Sequence, residues 1–310
     1  MNPFFYFLLS GILLIISCSQ EPDKSLLDDA KFNVSSINIA LKPNKNLYAQ
    51  REDEKILGNI LTQKLGLPVN ITTPSSKSII EAGLANKTID LGYVSSSDAI
   101  SFADNNVAEI LVAGNHESLT PDGKEYVGPF YFSVWLSLKE KPYSSIKDLK
   151  GKRVAFASRT STSGFLIPSW DLIKRGLISE GENLSSFFGE NNIFYGNGYV
   201  SAVEQVLGGK AEAAAVSYYV FEKDKHLTPE QRKRLKVIQR QGPVASHTFC
   251  VRSSLPTKAR NALQNALLEL SNDQKELSQS LFGGTLAIVD PIEHLKAPRE
   301  AKRAVNTLQN

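Results

Sequence analysis

Apolar positions along the chain follow two different periods from residue 36 onward. Short β-branched runs at 36–41, 69–73 and 89–94 have the length and composition of strands. Between them, Glu52–Leu65 and Ser75–Ala85 carry apolar residues every three or four positions, which predicts amphipathic helices. Strands that alternate with helices over short connections predict a mostly parallel sheet covered by helices, and hence an α/β fold.

The second half of the chain starts a separate alternation. Predicted strands and helices follow one another between residues 152 and 217, and no low-complexity linker divides the two halves. We therefore expect two lobes joined by strands that cross between them at a hinge. Lobe one is expected to comprise residues 36–132 and 246–310, and lobe two residues 133–245.

The N-terminus has the pattern of an export signal. Phe4–Ile16 is mostly apolar, but as a helix it would rise only about 20 Å, short of the roughly 30 Å hydrocarbon core. We therefore interpret residues 1–17 as a signal peptide. Ile15-Ile16-Ser17-Cys18 resembles the bacterial lipobox, which implies lipidation at Cys18, although no Lys or Arg precedes the apolar run. Residues 18–35 are then a lipidated tether, and the alternative is a cleaved signal with an incidental cysteine.

Composition excludes several classes of protein. The 35 basic residues nearly balance the 32 acidic ones, and a net charge of +3 is too small for a nucleic-acid footprint. Two cysteines cannot build a disulfide framework, and four histidines give no credible zinc cluster, so we expect no metal and no cofactor. Cys250 stands in an apolar run and is predicted to be a small buried side chain.

A hydroxyl-rich turn carries the clearest sign of ligand chemistry. Ser161-Thr162-Ser163-Gly164 follows a predicted strand and opens a predicted helix. Free backbone N–H groups and the helix dipole favour an anion at such a position, and hydroxyls add donors without net charge. Gly164 removes a side chain where an anion must approach the backbone. The alternative is simple N-capping, for which one Ser or Thr would suffice.

The same turn resembles a known family. Ser161–Leu166 with Pro168 is similar to the S-T-S-G-x-L-x-P signature of the phosphonate- and phosphite-binding proteins of ABC transporters. Ile146–Phe156 resembles the segment that opens their second lobe, and Asp90-Leu-Gly-Tyr-Val resembles a first-lobe motif. The resemblance runs from about residue 36 to 290. It implies a two-lobed type II periplasmic binding protein with a ligand cleft between the lobes.

The resemblance also implies a set of ligand contacts. The hydroxyl cradle of the family corresponds to Ser161, Thr162 and Ser163, and its ligand tyrosine corresponds to Tyr131, which we expect on lobe one. A pocket tyrosine is replaced by Ser76 and a histidine by Tyr199. The candidate ligand residues are Ser76, Tyr131, Ser161, Thr162, Ser163, Gly164, Tyr199, Tyr219 and His247.

Two of these positions bear on the charge of the ligand. The acidic residues that hold a ligand ammonium in some family members correspond to Tyr219 and His247. Because a buried cation needs a nearby carboxylate, we expect a ligand without an amine. Phosphate, phosphite and small alkylphosphonates fit this description.

The expected function is therefore ligand capture in the cell envelope. The resemblance and the lipobox together imply a lipid-anchored monomer that delivers a small phosphorus oxyanion to an ABC permease. The sequence contains no G-x-S-x-G, H-E-x-x-H, Walker lysine loop or G-x-G-x-x-G motif, so we do not expect an enzyme. Two alternatives remain open: a binding protein for a sulfonate or a thiamine-precursor-like ligand, and a lipid-anchored sensor for a membrane kinase.

Overall fold

The computed structural model describes residues 32–42, 47–223 and 226–306. The predicted signal peptide, Cys18 and most of the predicted tether lie outside the described residues. In chain order the strands are β1 (Ile37–Ala40), β2 (Val69–Thr72), β3 (Leu91–Val94), β4 (Ala108–Gly114), β5 (His116–Leu119), β6 (Glu125–Gly128), β7 (Phe130–Leu138), β8 (Val154–Phe156), β9 (Ile193–Tyr195), β10 (Ala213–Ser217), β11 (Leu235–Ala245), β12 (Thr248–Arg252) and β13 (Leu286–Ala287).

Helices connect most of these strands. In chain order they are α1 (Leu47–Leu65), α2 (Lys77–Ala85), α3 (Ser96–Asp104), α4 (Ile167–Lys174), α5 (Ser185–Phe188), α6 (Tyr199–Leu207), α7 (Tyr219–Glu222), α8 (Pro229–Lys233), α9 (Thr257–Asp273), α10 (Lys275–Phe282) and α11 (Pro291–Asn306). A 3₁₀ turn covers Ile146–Leu149, and a π-helical turn, Thr162–Leu166, leads directly into α4. No helix in the described part of the chain has both the length and the hydropathy of a membrane span.

Eleven of the thirteen strands in the described residues form two mixed sheets, while β5 and β6 form a separate antiparallel hairpin; this arrangement confirms the predicted α/β fold. The first sheet has the order β13-β4-β12-β3-β1-β2, and its β1, β2 and β3 are parallel. The second has the order β11-β7-β10-β8-β9, in which β8 is parallel to both β9 and β10. We call the first sheet and the helices packed on it the first lobe. The second sheet and its helices form the second lobe.

Each lobe has its own apolar core. In the first lobe, Ile39 and Phe249 of the sheet are buried against Leu61 of α1. In the second lobe, Trp135 of the sheet packs against Phe156 and Phe188, whose ring centroids lie 5.3 Å and 5.9 Å from that of Trp135. Cys250 is buried and unbonded to another cysteine, as predicted for a small apolar side chain. Separate cores leave the space between the sheets for a cleft.

Within the described residues, two connections between strands carry the chain from one lobe to the other. One crossing runs from β4 through the β5–β6 hairpin to β7, and the other is Ser246-His247 between β11 and β12. Because β7 begins at Phe130 and pairs with β10 and β11, Tyr131 lies on the second lobe. The expectation that Tyr131 lies on lobe one is therefore wrong, because strand pairing, and not position in the sequence, decides which lobe a residue joins.

The last helix bridges the lobes, although we expected residues 246–310 in lobe one. On α11, Leu295 is buried in a first-lobe cluster, whereas Ala301 and Val305 are buried in the core of the second lobe. Near the start of this helix, His294 places Nε2 3.3 Å from the carbonyl oxygen of Ser246 at the second crossing. The helix thus ties both lobes to the hinge.

Acid is expected to destabilise the protein through His294. Burial lowers the pKa of His294 from 6.5 to about 4, so the unfolded imidazole takes up a proton before the folded one does. Stability is therefore lost as the pH falls from about 6.5 to 4, and between pH 7 and 5 the loss is about 2 kcal/mol for this group. Urea unfolding at both pH values measures it. In His294→Leu, the difference between the two pH values should shrink by about that amount. An unchanged difference would contradict the assignment.

Candidate ligand site

The ends of several parallel strands open into one cavity of about 460 Å³ between the lobes. Ser95 and Ser96 follow β3, Ala157 follows β8, Gly198 closely follows β9, and Tyr218 follows β10; all of them line the cavity. In α/β sheets the carboxyl ends of parallel strands are the usual place for ligands, because helices begin there. The topology therefore builds the site where the two halves face each other.

Two helix N-termini face each other across this cleft. Ser96 begins α3 on the first lobe, and Thr162 begins the π-helical turn that continues into α4 on the second. The hydroxyl of Ser96 donates to Oγ1 of Thr162 over 3.4 Å, and the hydroxyl of Ser97 donates to the carbonyl oxygen of Thr160 over 3.2 Å. The positive ends of both helix dipoles and several hydroxyls therefore converge on one place, which favours an anion.

Ser161 and Gly164 shape the turn on the second lobe. Oγ of Ser161 lines the cavity side of the turn and accepts the N–H of Gly164 over 3.0 Å. A Cβ on Gly164 would lie 2.4 Å from Cβ of Ala157, a distance too short for two carbons. Gly164 does not itself line the cavity; its missing side chain lets the turn pack on the strand end and so positions Thr162.

Ser163 stands behind the cavity and orients tyrosines. It is fully buried, and its hydroxyl lies 2.7 Å from that of Tyr199. A hydrogen bond from Ser163 also reaches Tyr131, although burial outweighs it and raises the pKa of that phenol well above its usual value. Burial likewise raises the pKa of Tyr219 well above the usual value. Tyr131, Tyr199 and Tyr219 line the cavity, and the raised pKa values keep Tyr131 and Tyr219 as neutral phenols.

Two neutral histidines complete the lining. His116 is buried, and its Nδ1 lies 3.2 Å from the hydroxyl of Tyr218, while Nε2 has no hydrogen-bond partner among the described residues. Burial lowers the pKa of His116 to about 4. Burial also lowers the pKa of His247 well below its usual value. If the Tyr218 hydroxyl donates to Nδ1 of His116, Nε2–H is the donor that remains for a ligand.

The charged groups of the cavity favour an anion. Of the described lining residues, Asp98 is the only one with a carboxylate, and it lies 3.5 Å from Nζ of Lys42. The hydroxyl of Ser95 donates to the same carboxylate over 2.6 Å. Lys223 also lines the cavity. Two lysines against one engaged carboxylate give the cleft a positive balance, although Asp98 itself lies in the first turn of α3.

The structure brings together most, but not all, of the residues singled out from the sequence. Thr162, Ser161, Tyr131, Tyr199, Tyr219 and His247 line the cavity, and Ser163 and Gly164 support it from behind. Ser76 does not reach it: this residue is exposed and its hydroxyl lies 2.9 Å from that of Ser78.

Sequence reasoning missed the first-lobe half of the cradle. Ser95-Ser96-Ser97 repeats the pattern of Ser161-Thr162-Ser163, three hydroxyls between a strand and a helix, and this signal was available in the sequence. His116 carried no such signal. Its role depends on Tyr218, 102 positions away, which only the folded chain brings near.

Comparisons with known proteins identify the family of the chain. Residues 43–291 match the family model described as ABC transporter, phosphonate, periplasmic substrate-binding protein. The Phosphate-import protein PhnD of Mycolicibacterium smegmatis is 24% identical over 270 residues, which are 84% of this chain and 80% of the relative. The Phosphonates-binding periplasmic protein of Escherichia coli is 24% identical over 221 residues, 70% of this chain and 60% of the relative.

A solved structure supports the fold. PhnD1 from Prochlorococcus marinus in complex with methylphosphonate matches with a TM-score of 0.70 at 18% identity, covering 88% of this chain and 99% of that one. This likeness confirms the expected fold, and the family match confirms the resemblance inferred from the hydroxyl turn. Since the family model spans most of the sequence, the chain belongs to the family of periplasmic substrate-binding proteins of phosphonate ABC transporters.

Proposed function

We propose that the cleft captures a phosphorus oxyanion (phosphonate, phosphite or phosphate) and hands it to an ABC permease without transforming it. Membership of the family already places the protein outside the cytoplasm as a component of an ABC transporter. The observation that carries the proposal is the pair of facing helix N-termini, with Ser96 and Thr162 3.4 Å apart. A tetrahedral anion beside this contact, in the cavity that both residues line, would accept hydrogen bonds from both lobes.

The chemistry of the donors suits an anion that must lose its water. Desolvation of such an anion is costly, so affinity needs many aligned donors in a closed cleft. Backbone N–H groups, Ser and Thr hydroxyls and neutral phenols supply donors. Because Ser96 belongs to the first lobe and Thr162 to the second, the complete cradle exists only when the lobes are closed. A ligand that needs both halves therefore stabilises the closed state.

The same contacts support binding without catalysis. Among the described residues, Oγ of Ser161 accepts an N–H from Gly164, and the hydroxyl of Ser163 pairs with Tyr199, so neither is placed beside a general base. The engaged carboxylate of Asp98 supports a ligand that lacks an amine. We further propose that a lipid anchor at Cys18 holds the protein, as a monomer, on the outer face of a membrane. The lipobox-like tetrad before Cys18 supports this part of the proposal.

Thr162→Ala tests the proposed cradle. Loss of the hydroxyl leaves a ligand oxygen without its donor, which we expect to weaken methylphosphonate binding by about 1–3 kcal/mol, or roughly 5- to 150-fold. Titration calorimetry measures the change. Thr228→Ala is the matched control, since Thr228 also begins a helix but lies outside the cavity lining. Equal affinity in the wild type and Thr162→Ala would contradict the assignment.

A further inference from the structure

We propose that the phosphonate held in this cleft carries a ring-sized organic substituent without positive charge, which packs against aromatic side chains. The proposal rests on the proposed function, because it places the phosphonate group at Thr162 and extends the ligand from there. It narrows the ligand class from bare oxyanions and methylphosphonate to organophosphonates with a larger apolar part.

The first argument is the size of the cavity. Its volume of about 460 Å³ lies within the roughly 300–1,000 Å³ of pockets that enclose organic ligands. A bare tetrahedral oxyanion needs the space of only a few water molecules at about 30 Å³ each. Such an anion would leave most of the cavity to disordered solvent.

The second argument is that the lobes already touch. Hydrogen bonds join Ser96 to Thr162 and Ser97 to the backbone of Thr160, and His116 meets Tyr218 over 3.2 Å. The two serine contacts join the first lobe to the second. The contact of His116 joins the first crossing to the second lobe. Further closure at these points would force atoms into contact distances that are too short. The volume is therefore the space that remains beside these contacts, and a ligand with a larger apolar part would fill more of it than a bare oxyanion.

The third argument is the lining beyond the cradle. Aromatic rings from both sides of the cleft surround the cavity. Tyr93 of the first lobe lies 5.6 Å from His247 and 5.3 Å from Phe282, measured between ring centroids. Tyr131 of the second lobe lies 5.8 Å from Tyr218. These rings pack on one another and also line the cavity, so much of its wall beyond the hydroxyl groups is apolar and favours an apolar substituent.

The fourth argument concerns charge. Lys42 and Lys223 line the cavity, whereas the carboxylate of Asp98 is engaged by Lys42 and by Ser95. A substituent with an ammonium group would meet like charge and would have to displace these partners. An uncharged ring meets neither obstacle, because neutral phenols and imidazoles surround it.

Calorimetry on the full-length protein with four ligands tests the proposal: phosphate, methylphosphonate, phenylphosphonate and 2-aminoethylphosphonate. We expect phenylphosphonate to bind at least tenfold more tightly than methylphosphonate and to displace it in competition, and the aminoethyl compound to gain nothing over methylphosphonate. Methylphosphonate binding as tightly as phenylphosphonate, or phenylphosphonate binding without displacing methylphosphonate, would overturn the inference.

The same series separates this inference from the function on which it rests. If methylphosphonate binds and phenylphosphonate does not, the ring-sized substituent is refuted and the oxyanion site stands. If neither the four ligands nor phosphite binds to the folded protein, the proposed function itself fails. In Thr162→Ala, phenylphosphonate and methylphosphonate should weaken by a similar factor, because both place the same group at the cradle. Weakening of methylphosphonate alone would show that phenylphosphonate sits elsewhere and would overturn the inference.

Discussion

Thr162→Asp is expected to lower the affinity for any phosphonate at least a hundredfold while the protein stays folded. Thr162 is buried at the start of a helix and 3.4 Å from Ser96 of the other lobe, so the new carboxylate would stand beside the proposed anion position. Two negative charges about 4 Å apart repel by about 4 kcal/mol at an effective dielectric constant of 20. An acidic residue in the first turn of a helix is itself stabilising, so the fold should tolerate the change.

Thr162→Asn isolates the effect of charge. Asparagine has nearly the shape of aspartate but is neutral and keeps hydrogen-bond donors, so we expect it to cost less than tenfold in affinity. Titration of both variants with methylphosphonate, with thermal melts to verify folding, measures the difference. Equal affinities for Thr162→Asp and Thr162→Asn would place the anion away from this helix start.

Asp90→Ala is expected to destabilise the protein by about 3–5 kcal/mol, the usual cost of removing one partner of a buried ion pair. Asp90 is 3% exposed and Arg252 is 8% exposed, and Nε of Arg252 donates to the carboxylate over 2.7 Å. The other carboxylate oxygen accepts the backbone N–H of Asn38 over 2.7 Å. The variant would therefore leave a guanidinium and an amide buried without their partner, between β1 and β12 of the first sheet.

Asp104→Ala is the matched control for Asp90→Ala. Asp104 also pairs with an arginine, Arg299, at 2.6 Å, but both side chains are substantially exposed. Exposed pairs contribute at most about 1 kcal/mol, so this variant should unfold at nearly the wild-type urea concentration. A loss in Asp90→Ala no larger than that in Asp104→Ala would show that the buried pair does not stabilise the sheet.

Local patterns in the sequence located many elements closely. The strand predicted at 89–94 is β3 at Leu91–Val94, and the helix predicted at Ser75–Ala85 is α2 at Lys77–Ala85. The helix has a clear hydrophobic period and the strand has a short apolar run. Both signals depend only on neighbouring residues, so the sequence is enough to locate these elements. The helix predicted from about residue 163 also begins within one residue of the π-helical turn at Thr162.

Other elements escaped prediction because their local signals conflict. β4 at Ala108–Gly114 is a mixed run without strict alternation, and such a short run does not distinguish strand from helix. α11 contains Pro298, which argues against a helix when read locally. It forms nonetheless, since burial of Leu295, Ala301 and Val305 against both lobes outweighs the local preference.

The sequence by itself determined the strand, hydroxyl turn and helix of the second lobe, because these elements are contiguous and their physics is local. Only the tertiary structure decided what faces Thr162. Ser96 is 66 positions away in sequence, and Tyr131 joins the second lobe through pairing of β7 with β10. His116 becomes a neutral lining residue because burial beside Tyr218 lowers its pKa. Contacts between distant segments depend on how two sheets are oriented, and no local pattern encodes that orientation.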